Sequence, residues 1–195
     1  MAGDAEIGGR HGRFWRVAPW AIASLILLLP LVAMQVTDEV DWDRADFAVL
    51  AVMLLGACGA YELAARMTGN VAYRAAVGVA VVTALILVWV TLAVGIIGSE
   101  DDSANLMYGG VLAIGILGAV IARFQPEGMA CALAATALAQ ALVGVVALST
   151  GLGSTAANGP GAFLVLTGFF AVLWLLSAWL FRKAAREQTL ACAAP

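Results

Sequence analysis

Long apolar runs separated by short polar segments make up almost the whole chain. After a polar start containing Arg10, His11, Arg13 and Arg16, apolar stretches occupy residues 17–36, 47–67, 75–97, 106–122, 129–148 and 162–181. Each is close to the roughly 20 residues that a helix rising about 1.5 Å per residue needs to cross about 30 Å of hydrocarbon. None shows the period-two alternation of a half-buried strand. A backbone surrounded by lipid must satisfy its own N–H and C=O groups, and that requirement leaves helices. The pattern therefore predicts an all-α fold, a polytopic membrane helix bundle of about six transmembrane helices. An N-terminal tail of residues 1–16 and a C-terminal tail of residues 182–195 flank it.

Composition agrees with lipid as the solvent. Hydrophobic residues make up 63% of the chain and charged residues 12%, with a mean hydropathy of +0.97. Soluble domains lie nearer half apolar and a quarter charged. A basic start before an apolar run also fits a cleaved signal peptide. Here the run is long, is interrupted by Pro30, and ends in Ala33-Met34-Gln35 without a small-x-small cleavage pattern. It is expected to remain as the first span.

Charge sets the expected orientation. With the N-terminus inside, the inner segments carry Arg10, Arg13, Arg16, Arg66, Arg74, Arg123, Arg182, Lys183 and Arg186, and only Arg44 lies outside. That asymmetry places both termini in the cytoplasm by the positive-inside rule. The outer loops hold Asp38, Glu39, Asp41, Asp43 and Asp46, then Glu100, Asp101 and Asp102.

The runs also show a weak internal repeat. Leu25-Ile26-Leu27 is echoed by Leu85-Ile86-Leu87, and Gly56-x-x-Gly59-Ala60 by Gly115-x-x-Gly118-Ala119, at offsets of 60 and 59. Gly168-x-x-Ala171 stands in the corresponding place later on. The repeat predicts three tandem helical hairpins. The faces built on Gly56, Gly59 and Ala60, and on Gly115, Gly118 and Ala119, let helix backbones approach closely, which is how helices associate in lipid. Packing within the chain is the expected use of both faces, with dimerisation the other.

Few polar groups fall within the spans. Glu62 lies about five residues, or roughly 7 Å, from the inner end of the second span. Arg66 follows at the favourable i,i+4 spacing, so a paired or snorkelling carboxylate is expected, with a proton or cation role as the alternative. Gln140 lies near the middle of the fifth span with Thr136 one turn away, and a buried amide there is expected to bond across to another helix or to line a polar cavity. Asp38, Asp41, Asp43, Glu100, Asp101 and Asp102 bring hard oxygen ligands to the outer face. They lack the glycine and closing glutamate of a calcium loop, so a solvated rim is expected, with a cation site as the alternative.

Catalytic groupings are missing from the sequence. The one histidine, His11, lies in the tail, and there is no nucleophile elbow, phosphate-binding loop or zinc-protease motif. The three cysteines, Cys58, Cys131 and Cys192, form no CxxC pair and are expected as free thiols. Neither an enzyme nor a cofactor or metal site is expected, and no nucleic-acid partner. Trp15, Trp20, Trp42 and Trp179 suit the membrane interfaces, whereas Trp89 and Trp174 sit deeper as packing residues.

The stretches AVGIIGSEDDSANLMY and GILGAVIARF, between Leu92 and Phe124, resemble an uncharacterised family of small multi-pass inner-membrane proteins of bacteria. The resemblance runs from about the second span through the fifth. It implies a bacterial inner membrane and supplies no activity or site. The function expected from the residues is that of a non-enzymatic accessory or scaffold component acting through helix packing. Its partners would be the bilayer and either further copies of itself or another membrane protein. An oligomeric small-solute or cation transporter, using Glu62, Gln140 and Thr136, is the alternative.

Overall fold

The computed structural model describes residues 3–37, 41–93, 95–97, 103–152 and 159–193, with side chains described from residue 18 to residue 192. Its helices are α1 (Gly3–Val36), α2 (Arg44–Met67), α3 (Val71–Ala93), α4 (Leu106–Ile121), α5 (Pro126–Ser149) and α6 (Gly159–Ala193), with one 3₁₀ turn at Ser103–Asn105. No strand occurs among the described residues. All six helices contain a stretch long and apolar enough to cross a bilayer.

The chain divides into two units, residues 1–63 and 64–195. In the second, α5 packs most extensively on α6, α3 lies along α6, and α4 lies along α5. Direct contact between α3 and α4 is slight. The helix pairs of this unit thus do not all follow sequence neighbours: α3 is held by α6, about 100 residues away. A hydrogen bond marks that pairing, with Ser177 Oγ donating to the Ala76 carbonyl at 2.7 Å. The apolar core includes Leu87 from α3, Tyr108 from α4, Leu133 and Ala147 from α5, and Phe163, Phe170 and Phe181 from α6. Tyr73 and Phe181 close one end of it edge to face, their rings 5.0 Å apart.

Local chemistry sets the helix ends, and several differ from the sequence expectation. Asp43 Oδ1 accepts from the amides of Ala45 and Asp46, at 2.7 and 3.0 Å, while Asp46 Oδ2 accepts from the Asp43 amide at 3.0 Å. This reciprocal cap starts α2 at Arg44, three residues before the apolar run. At the far end of α3 the apolar run continues to Ile97, yet the helix stops at Ala93. Gly95 takes a left-handed φ of 74° and donates its amide to Val90 O at 3.1 Å. Between α4 and α5, Arg123 and Phe124 both have positive φ, 50° and 58°, which costs an L-residue roughly 1–2 kcal/mol. The Tyr73 hydroxyl donates to the Phe124 carbonyl at 2.7 Å, satisfying a group that the corner frees. Pro126 then occupies the first turn of α5, where no N–H is needed.

The first residues of the expected C-terminal tail, 182–193, continue α6 as helix. Residues 182–193 extend α6 to 35 residues, about 52 Å at 1.5 Å per residue, well beyond the hydrocarbon thickness. Lys, Arg, Ala, Glu and Gln in this segment are strong helix formers, so the helix has no reason to end where its apolar run does. The N-terminal tail is likewise helical from Gly3.

Candidate functional site

The second unit buries several polar side chains in its interior. Thr136 and Gln140, one turn apart on α5, are both fully buried. Gly144, one turn further, gives α6 room to approach: a Cβ there would stand 2.8 Å from Thr167 Cγ2. Tyr108 on α4 and Thr167, Trp174 and Ser177 on α6 are also buried. Thr136 bonds back to the Ala132 carbonyl at 2.9 Å, and Thr83 on α3 to Val79 O at 2.7 Å.

Among the described residues, both ends of the Gln140 amide and the Trp174 Nε1 have no hydrogen-bond partner, whereas the Tyr108 hydroxyl has the Thr167 side chain beside it. Gln140 was expected to bond to a neighbouring helix, and it does not. The amide is fully buried, where an unmade hydrogen bond costs about 1–3 kcal/mol. These buried side chains are uncharged donors and acceptors, with no ionisable acid or base among them apart from the phenol.

The two small-residue faces diverge. Gly115 and Gly118 on α4 pack on α5, where a Cβ on Gly115 would stand 3.2 Å from Thr136 Oγ1 and one on Gly118 only 2.7 Å from Ala132 Cβ. Ala119 is half-buried and packs against the same core. On α2, Gly56, Gly59 and Ala60 are exposed, and a Cβ on either glycine would meet nothing within 4 Å. Packing within the chain was the expected use of both faces; on α4 the structure shows the contacts, and on α2 no described atom lies within 4 Å of a Cβ placed on either glycine. The buried stripe of α2 is instead Leu50, Leu54 and Cys58, whose thiol lies 3.5 Å from the Pro19 carbonyl. The span of α1 has no buried residue at all. Gly168 also faces open space.

The remaining sequence candidates are scattered. Glu62 is half-buried near the end of α2, and both it and Arg66 make polar interactions. Asp43 and Asp46 are engaged in capping α2, and Asp41 is exposed. Asp38, Glu100, Asp101 and Asp102 lie outside the described residues. Among the described residues no three His, Cys, Asp or Glu side chains come together as a metal site. Cys58 is buried, whereas Cys131 and Cys192 are exposed free thiols. Trp174 is buried as a packing residue, while Trp20 and Trp179 are exposed.

Sequence reasoning missed Asn105. Its Oδ1 accepts from the amides of Ile96 and Ile97 at 3.1 and 3.0 Å, and its Nδ2 donates to Ile97 O at 3.1 Å. The side chain is buried and fastens the α3 exit to the start of α4. A lone amide bordering an apolar run was the available signal. Six apolar helices make the chain a multi-pass integral membrane protein, and it matches no protein-family model, no curated protein and no solved structure.

Proposed function

We propose that the protein is a non-enzymatic accessory or scaffold component of a bacterial inner membrane, with both termini in the cytoplasm. It would associate sideways with another membrane helix through α2. One observation carries this reading: Gly56, Gly59 and Ala60 form an exposed small-residue face, and a Cβ on either glycine would meet no described atom within 4 Å. In lipid, such a face gains little by contacting acyl chains, and close helix–helix packing is its recognised use. The basic asymmetry along the sequence supports the orientation, and the resemblance between Leu92 and Phe124 supports the compartment. The test is photocrosslinking in native membranes from Val52 and Leu63, exposed positions flanking the face. Protein adducts from both, lost in Gly56→Leu, are the expected result. Adducts to lipid alone contradict the reading.

A second reading, an oligomeric small-solute or cation transporter, rests on the buried Gln140 amide and Trp174 Nε1, which have no hydrogen-bond partner among the described residues. It requires flux into liposomes carrying the purified protein, and loss of that flux in Gln140→Leu with helix content unchanged. Absence of flux in wild type under proton, cation and small-solute gradients removes it.

A further inference from the structure

At the end of the second unit where α5 begins and α6 leaves its apolar stretch, an open groove of about 550 Å³ separates the two helices. Glu127 and Cys131, one turn apart, line it from α5; Arg182, Arg186, Thr189 and Leu190 line it from α6. Such a volume is within the usual range of small-molecule sites. The groove exists because α6 continues as a helix past Phe181, which keeps Arg182 and Arg186 on one face at i,i+4 beside the first turn of α5.

Its charges do not satisfy one another. Among the described residues Glu127, Arg182 and Arg186 make no ion pair. Two guanidinium groups therefore offer forked donors suited to phosphate oxygens, while a carboxylate in the same groove calls for a cation with N–H donors. The first turn of α5 adds positive potential, because no side chain caps it. The apolar run of α6 ends at Phe181 and Cys131 lies only about 7 Å along α5 from Pro126 at 1.5 Å per residue, which would set the groove where headgroups meet hydrocarbon.

We propose that this groove binds the headgroup of a zwitterionic aminophospholipid, phosphatidylethanolamine. Arg182 and Arg186 hold the phosphodiester, and Glu127 holds the primary ammonium. An anionic lipid such as phosphatidylglycerol pairs the arginines and leaves Glu127 without a cation. Phosphatidylcholine places a quaternary ammonium there that has no N–H to donate.

Cys131 provides the readout, because it is an exposed thiol in the groove and Cys58 is buried. In a Cys192→Ser background, the full chain is placed in phosphatidylcholine nanodiscs, alone or doped with phosphatidylethanolamine or phosphatidylglycerol, and the rate of maleimide modification is measured. Phosphatidylethanolamine should slow modification of Cys131 roughly tenfold, about what one charge-assisted hydrogen bond is worth, and phosphatidylglycerol should slow it less. Glu127→Gln should reverse that preference, and Arg182→Gln with Arg186→Gln should abolish lipid dependence while helix content and the unfolding midpoint stay those of wild type, reporting an intact fold. Four results overturn the proposal: a rate independent of lipid, equal protection by phosphatidylglycerol in wild type, protection surviving in the double arginine variant, or equal protection by soluble phosphoethanolamine.

Discussion

Gly56-x-x-Gly59-Ala60 and Gly115-x-x-Gly118-Ala119 are nearly the same words placed 59 residues apart, and their surroundings differ. On α4 the small residues are filled by a partner: Ala132 and Thr136, themselves small and one turn apart on α5, enter the space that the glycines leave. On α2 a Cβ on Gly56 or Gly59 would meet no described atom within 4 Å. The difference lies in the helix opposite. A glycine face creates room for a backbone, but a neighbour with its own small stripe must fill it, and α5, rich in alanine, is that neighbour for α4. The contrast extends to the units that hold the two faces. The second unit is tied internally by Ser177 to Ala76, Tyr73 to Phe124 and Asn105 to Ile96 and Ile97, whereas none of the described side chains of the α1 span, residues 18–36, is buried.

The largest effect is expected where the second unit is closest packed. Gly144→Leu puts a side chain into Thr167, whose Cγ2 already lies 2.8 Å from the position of a Cβ. Overpacking of this kind costs about 1–3 kcal/mol, and thermal unfolding in bicelles should show the loss. Wild-type stability in this variant would mean that α5 and α6 are less tightly apposed than the structure has them.

A smaller loss, about 1–2 kcal/mol, is expected for Asn105→Ala, which leaves the amides of Ile96 and Ile97 buried without their acceptor. Hydrogen exchange at those two amides should accelerate before the rest of the second unit is affected. If exchange there is unchanged, Asn105 does not fasten the α3 exit. The smallest effect belongs to Glu62→Gln in the first unit, where the loss should stay within a few tenths of a kcal/mol, as for an exposed helical ion pair. A measured loss above about 2 kcal/mol would show a carboxylate buried more deeply than an interfacial pair.

How much of this was legible follows from what lipid demands. A bilayer imposes length and hydropathy on every crossing segment, so the six helices could be read from apolar runs alone. Their ends could not, because ends are set by local polar chemistry: Ile96 and Ile97 look like more helix, yet Gly95 and Asn105 turn them into a buried connection. Arg123 and Phe124 adopt left-handed backbone without a glycine to announce it. The burial of Thr136 and Gln140 was readable from their position in the fifth span, but the absence of a partner for Gln140 depends on which helices surround it. Gly144 stood out from no motif, though Thr167 fills the space beside it. The groove at Glu127 and Arg182 was invisible for a different reason: a polar tail gives no sign in hydropathy that it continues a membrane helix.

The divided use of one small-residue pattern is tested most directly by paired leucine substitutions, Gly56→Leu and Gly118→Leu. Unfolding midpoint and crosslinked association are read from the same membranes. Gly118→Leu should lower the midpoint by the equivalent of about 1–3 kcal/mol, because its Cβ would stand 2.7 Å from that of Ala132. Gly56→Leu should leave the midpoint where it is and remove association. A Gly56→Leu protein that unfolds as readily as Gly118→Leu, or that associates as wild type does, would contradict the account.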